Sequence, residues 1–305
     1  MLEMACELVA MNDQPMRQAK VLLRPQGSAE QADWPLRLFG SSTGEGVDAV
    51  VSGESAVAII NPSGALAVAH RGSPTKPPAP VRTITVIPSH DQYVFAVHPS
   101  TGLSRFEDIR ERRLPLRLSL RGQRDHCLHS MLDDILHAAG FSLAELQSWG
   151  GTVTYEGRTP YFYEPKFERL IRGELDAIFD EGVYEWAPQV LAAGIRILPL
   201  AEQTVRKLET LGYRRGTIAK AKYPALSQDV LTIDFSGWPV FVRDDLPDAL
   251  VTQMCAALDA RKHLIPWDGD GPLPLERMCR DAPDTPIDVP LHPAAERFWR
   301  ERGYL

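Results

Sequence analysis

SGESAVAII at residues 52–60 and RGELDAIFD at 172–180 carry one pattern twice. Each follows a helical stretch, passes through Gly-Glu, and runs into apolar, partly β-branched residues, which reads as helix, tight turn, strand. Two equivalent β-α-β units account for the repetition. Before the first copy, Leu36–Phe39 reads as a strand and residues 43–52 as a helix, with Ala56–Ile60 the strand that follows. Before the second, Leu116–Leu120 is a strand and 125–139 a helix closing at Gly140, a natural C-cap. Strand Thr152–Tyr155 and helix Lys166–Gly173 come next, the latter with Phe167, Leu170 and Ile171 on one face. Ala177–Phe179, helix Tyr184–Ala193 and strand Ile195–Leu198 complete the block.

Outside these copies the same alternation continues. Residues 2–11 read as a helix, Lys20–Leu23, Val81–Ile87 and Tyr93–His98 as strands, and a short helix follows Ser104. PTKPPAP at 74–80 is a surface loop, because proline lacks the amide hydrogen a helix needs. Helices at 245–262 and 294–302 flank a proline- and glycine-rich loop at 266–274. Helices alternating with short strands predict an α/β fold of open sheets flanked by helices.

Composition narrows the function classes. The 305 residues hold 40 acidic and 33 basic side chains, a formal charge of -7, which argues against nucleic acid as the main partner. No apolar run approaches a membrane span. The opening MLEMACELVAM has two glutamates and no basic n-region, so it does not read as a secretion signal. Cys6, Cys127, Cys255 and Cys279 lie far apart without zinc spacing and read as buried thiols.

Several segments resemble one family, the solute receptors of tripartite periplasmic transporters, in their immunogenic-protein-related (TAXI) branch. The matching stretches are SGESAVAIINPS at 52–63, FERLIRGELDAIF at 167–179, YPALSQDVLTIDFSGWPVFVRDDLPDALV at 223–251 and LHPAAERFWRERGY at 291–304. The resemblance implies a two-lobed type II periplasmic-binding-protein-like fold joined by two crossing strands, with a ligand cleft between lobes. It implies residues 1–95 plus 200–305 as the first lobe and 96–199 as the second. It also implies hinge closure on a small organic anion (an amino, dicarboxylic or aromatic acid), delivery to the membrane subunits of a tripartite transporter, and a periplasmic location. The family's first strand and glycine-rich loop have no counterpart here, and LRGQRD at 120–125 stands where its glycine- and serine-rich anion loop is expected. If the absent signal is genuine, the location is cytoplasmic. The alternative function is then an enzyme on the same fold, such as a decarboxylase of an aromatic or dicarboxylic acid.

Ligands in open α/β sheets sit outside the carboxyl ends of strands, so the strand-to-helix turns are the candidate sites. Ser41, Ser42 and Thr43 offer hydroxyls at a helix start, for an anion or for ordinary N-capping. Asn61 and Ser63 end the next strand the same way. Arg121, Gln123 and Arg124 form either an anion clamp, through arginine's bidentate fork, or a solvated basic loop. Asp180 and Glu181 follow a strand and suit an amine, a metal, acid/base work, or a plain helix-start carboxylate. Tyr93, Tyr155 and Trp238 are candidate aromatic walls. His126, His129, Asp133 and His137 share a helix face, but eleven residues span about 16 Å, too far for one ion. No cofactor is expected; a divalent metal enters only with the enzyme alternative, where Asp180, Glu181 and His126 would be catalytic and His126 and His129 weak metal candidates. Nucleophile elbows, phosphate loops and zinc-protease motifs are absent from the sequence.

Overall fold

The computed structural model describes residues 38–40, 44–72, 76–124, 126–157, 165–265, 267 and 269–305, the first three through their backbone alone. The expected helix at 2–11, the strand Lys20–Leu23, Ser41, Ser42 and Thr43 lie outside these residues. In chain order the elements are β1 (Leu38–Gly40), α1 (Glu45–Val51), β2 (Val57–Ile59), α2 (Ser63–Arg71), β3 (Val81–Ile87), β4 (Val94–Val97) and α3 (Asp108–Glu111). Then come β5 (Arg117–Arg121), α4 (Cys127–Ala139), α5 (Leu143–Ser148), β6 (Thr152–Glu156), α6 (Pro165–Ile171), β7 (Ala177–Asp180), α7 (Val183–Ala192) and β8 (Arg196–Ile197). The last are α8 (Glu202–Leu211), β9 (Arg215–Ile218), β10 (Val230–Ile233), β11 (Trp238–Arg243), α9 (Asp248–Arg261), α10 (Leu275–Met278) and α11 (Pro293–Glu301).

These elements fall into two compact units. One contains the described residues up to His90 together with Ser236–Leu305, the other Asp91–Phe235. The first crossing lies close to the expected 95, but the return falls at 235/236, not at 199/200. The shift follows from packing: Ile218, Tyr223, Leu226 and Val230 are buried against Trp186 and Val190 of the second unit. Glu107 also fastens α8 there, its carboxylate accepting from the Ala201 N–H at 3.0 Å and from the Thr204 hydroxyl at 2.5 Å.

In the first unit the sheet order is β1-β2-β11-β3, with β1 parallel to β2 and β11 antiparallel to both its neighbours. The strands alternate side chains between two apolar layers, as a period of two requires. Ala58, Ile60, Val81 and Phe241 face Val50 and Leu66, whereas Val57, Ile84 and Val242 face Val251, Met278 and Trp299. In the second unit the order is β6-β5-β7-β4-β8, with β5, β6 and β7 parallel and β4 antiparallel to β7 and β8. A separate hairpin pairs β9 with β10. One face of the sheet packs on Phe167 and Trp186. The other is aromatic, with Phe95 and Phe179 cross-strand partners and Phe106 4.5 Å from the Phe95 ring.

The duplicated motif folds the same way in both units. α1 ends at Val51 and β2 starts at Val57; α6 ends at Ile171 and β7 starts at Ala177. The Gly53 N–H donates to Val50 O and the Ser55 N–H to Ala49 O, just as Gly173 donates to Leu170 O and Leu175 to Arg169 O. Gly53 and Gly173 sit at φ +77° and +71°, the left-handed region that glycine enters without a Cβ clash. The strand orders agree as well: β1-β2-β11-β3 corresponds to β5-β7-β4-β8, and β6 extends only the second sheet.

Trp299 is fully buried and its Nε1 donates to Ile84 O at 2.9 Å, joining α11 to β3. We expect Trp299→Ala to lower unfolding stability by about 3–5 kcal/mol through the cavity it leaves. Urea denaturation followed by far-ultraviolet circular dichroism measures this; an unchanged midpoint contradicts the packing described.

Candidate functional site

The carboxyl ends of β5 and β7 bring together residues whose sequence positions gave no hint of contact. Arg121 ends β5 and Asp180 ends β7, and both are buried. The Arg121 guanidinium reaches Asp180 Oδ1 through Nε at 3.2 Å and Nη2 at 3.1 Å, and pairs with Glu181 Oε1 through Nη2. From the first turn of α6, Lys166 places Nζ 2.6 Å from Asp180 Oδ2. Two cations thus face two carboxylates, and buried charges persist only when paired this way. Asp91 adds a third carboxyl. It caps α7, accepting from the Gly182 N–H at 2.8 Å and the Val183 N–H at 3.0 Å, and it shares a side-chain hydrogen bond with Glu181.

The electrostatics follow from burial against pairing. Burial, with the Glu181 charge adding to it, pushes the Asp91 carboxyl well above the usual carboxylate range, against the backbone N–H groups that favour its ionised form. Asp180 is buried too, but Lys166 and Arg121 outweigh burial and hold it below that range. His126 is the N-cap of α4. Burial and the Arg121 charge hold its ring neutral. Two N–H groups address that ring, Leu128's backbone at Nδ1 (3.1 Å) and Arg121's Nη1 at Nε2 (2.8 Å). A neutral imidazole has one acceptor nitrogen, so its tautomer decides which of them it receives.

Gly122, next along the loop, has no room for a side chain: a Cβ would stand 2.7 Å from Gly157 O. This close approach of the β5 and β6 ends turns Arg124 back over the Tyr155 ring, with its guanidinium carbon 3.5 Å from the centroid. On the same ring lies His129, 5.6 Å between centroids, its Nε2 2.9 Å from Gln123 O. Arg124 is exposed, and among the described residues no carboxylate pairs with it. The two arginines that the sequence leaves interchangeable are therefore different: Arg121 is neutralised within the fold, Arg124 presents its charge outward.

Other expected site residues lie apart from this cluster. Tyr93 is corrected from cleft wall to core: it is fully buried, stacks on Phe95 at 5.0 Å and donates to Leu128 O. Asn61 and Ser63 belong to the first unit and are buried at the head of α2. The Asn61 amide donates to Gly237 O and the Ser63 hydroxyl to Pro286 O, so both fasten local backbone. Trp238 opens β11, half-buried beside Ile87. Both His126 ring nitrogens and His129 Nε2 already serve the chain, and no cluster of metal-binding side chains occurs among the described residues. Asp133 and His137 stay on the outer face of α4. Lys166 and Asp91 are absent from the sequence-based expectations. The signal for Asp91 was a carboxylate at the mouth of the apolar run YVFAV; Lys166 had none.

Cys127, Cys255 and Cys279 are buried and form no disulfide, as their isolation in sequence predicts, and Cys6 lies outside the described residues. Among the described residues no helix is long and apolar enough to cross a membrane.

A model described as the NMT1-like family matches residues 40–303. Among solved structures, the chain is similar to a periplasmic transporter, 17% identical over 81% of this chain and 73% of that one, with TM-score 0.34. It is similar to MatC from Rhodopseudomonas palustris with bound malate, at 11% identity over 85% and 82%, TM-score 0.39. It also resembles PstS from Borrelia burgdorferi, at 12% over 71% and 80%, TM-score 0.37. At such scores these likenesses bear on neither ligand nor mechanism.

Two outcomes test the buried cluster. Arg121→Ala leaves Asp180 and Glu181 short of a partner and is expected to cost about 3–5 kcal/mol of stability. Because its carboxyl is raised in the fold, Asp91 binds more protons in the native state between its unfolded pKa of 3.8 and its raised native one. Its contribution is full below 3.8 and is lost as pH rises through the native pKa. Asp91→Asn is expected to flatten that decline while costing about 1 kcal/mol for the bond to Gly182. Urea midpoints from pH 4 to 9 report both; a variant as pH-dependent as the parent places the proton elsewhere.

Proposed function

As the chain belongs to the NMT1-like family, matched over residues 40–303, we propose that it is a solute-binding protein that captures a small organic acid. The observation carrying this reading is the Arg124 guanidinium, stacked on Tyr155 and turned outward at the carboxyl ends of parallel strands. A planar cation held flat on an aromatic ring keeps its N–H edge oriented, so a carboxylate meets a fork that has already lost its freedom. The thirteen-residue helix α4 starts beside it and adds the positive end of its dipole.

Amino, dicarboxylic and aromatic acids are the ligand classes proposed. Capture by hinge closure, a tripartite-type transporter of the TAXI branch and a periplasmic location complete the reading. Binding is favoured over decarboxylation because Asp180 and Glu181 are engaged with Lys166 and Arg121, which leaves neither placed as an unencumbered acid or base.

The test is calorimetric titration of the purified protein with acetate, succinate, malate, glutamate and benzoate. At least one acid is expected to bind with no bond made or broken. Arg124→Ala should weaken it by about 10- to 100-fold, about 1.5–3 kcal/mol for a charge-assisted contact, with an unchanged melting temperature. No binding by the parent protein, or turnover of a panel acid, would overturn the proposal.

A further inference from the structure

The Arg124 guanidinium and the His129 imidazole lie against one ring, that of Tyr155, the first 3.5 Å and the second 5.6 Å from its centroid. They are therefore within about 9 Å of each other, a gap that one small molecule spans with a hydrogen bond of about 3 Å at either end. Their hydrogen-bonding characters differ. A guanidinium only donates. The imidazole is turned so that Nε2 stands 2.9 Å from Gln123 O, and a carbonyl oxygen only accepts, so Nε2 carries the hydrogen. Burial, with the Arg121 and Arg124 charges adding to it, holds this ring below the ordinary histidine range, although Gln123 O and Asp180 pull the other way.

A neutral imidazole with its hydrogen on Nε2 keeps a lone pair on Nδ1. Among the described residues nothing donates to that nitrogen, and it is not one of the buried side-chain atoms left without a partner, so it is open to solvent. The bond to Gln123 O fixes the ring, so the lone pair has a set direction before any ligand arrives.

We propose that His129 Nδ1 is a second recognition point of the Arg124 site and selects acids with a hydroxyl beside the carboxylate: the carboxylate lies on the Arg124 fork and the hydroxyl donates to Nδ1. This rests on the reading of the protein as an organic-acid binder and names the class of acid, a small hydroxy acid. A hydroxyl brings one hydrogen and no charge, which suits a single lone pair. An ammonium in its place brings a positive charge beside Arg124 and needs a carboxylate to balance it. Glu156, which ends β6 next to Tyr155, has Arg169 Nη1 on both its oxygens, at 2.8 and 2.7 Å. An unsubstituted acid offers Nδ1 no donor and forgoes one neutral hydrogen bond.

The experiment measures dissociation constants by calorimetry at pH 8, where an imidazole held below its ordinary range is neutral. The acids differ only in the hydroxyl: each enantiomer of malate against succinate and of lactate against propionate, with aspartate as the ammonium counterpart. In at least one pair the parent should bind the hydroxy acid about 3- to 10-fold more tightly than its unsubstituted partner, the yield of one neutral hydrogen bond. Malate should also bind more tightly than aspartate. His129→Gln keeps an amide N–H for Gln123 O and removes the Nδ1 lone pair, whereas His129→Phe keeps only a ring against Tyr155. In either variant that melts as the parent does, the hydroxy acid should weaken to within about twofold of its unsubstituted partner. A parent that binds acids without preferring the hydroxyl, or that prefers aspartate to malate, overturns the inference, as does a folded variant that retains the preference. These outcomes leave the acid-binding function standing. If the parent binds neither these acids nor acetate, glutamate or benzoate, the proposed function fails and this inference with it.

Discussion

The second unit is organised around a charge that water does not reach. Asp180 ends a central strand with no exposed surface, and its ionised form exists there because Lys166 and Arg121 come to it from two different elements. Removing a carboxylate from water is costly, and only partners at hydrogen-bond distance offset that cost. The constraint fixes the register of α6 against β7, the direction of Arg121 from β5 and the position of Glu181. It also explains why Arg124, three residues after Arg121, is the arginine left facing outward.

The two units show one design executed with different chemistry at equivalent points. At the head of α2 in the first, the Ser63 N–H donates to the backbone carbonyl of Ser236. At the head of α7 in the second, the Gly182 and Val183 N–H groups meet the Asp91 side chain. Both acceptors lie just before the antiparallel strand of their sheet, β11 in one and β4 in the other. A backbone carbonyl has no proton to gain, whereas a carboxyl does. The second unit therefore acquires a titrating cap that the first lacks, next to Glu181 where the first has Asn61, its amide bonded to Gly237 O. The repeats differ structurally at that point.

The alternation of elements was legible because local rules act over few residues. Among the described residues, the Gly-Glu turns, the apolar strands that follow and the expected amphipathic helices appear where spacing places them, with boundaries within a few residues. Helix α8 and the β9–β10 hairpin were less legible, and with them the allegiance of residues 200–235. Nothing local in QTVRKLETL announces which unit will cover it; the Glu107 carboxylate and the Trp186 cluster decide that from distant positions.

The chemistry divides along the same line. By itself the sequence determined that carboxylates and arginines stand at the carboxyl ends of strands, since strand ends are set by local pattern. It could not determine which arginine is neutralised. That depends on Asp180 lying beside Arg121, 59 positions earlier in the chain, and on Lys166 approaching from a helix between them. Tyr93 was misread for the same reason: alternation puts it on a face, but only packing shows that face turned to Phe95 and Leu128 O. Periodicity is a property of neighbours along the chain, whereas burial and charge pairing are properties of neighbours in space, and parallel strands joined through helices bring together residues that no local spacing relates.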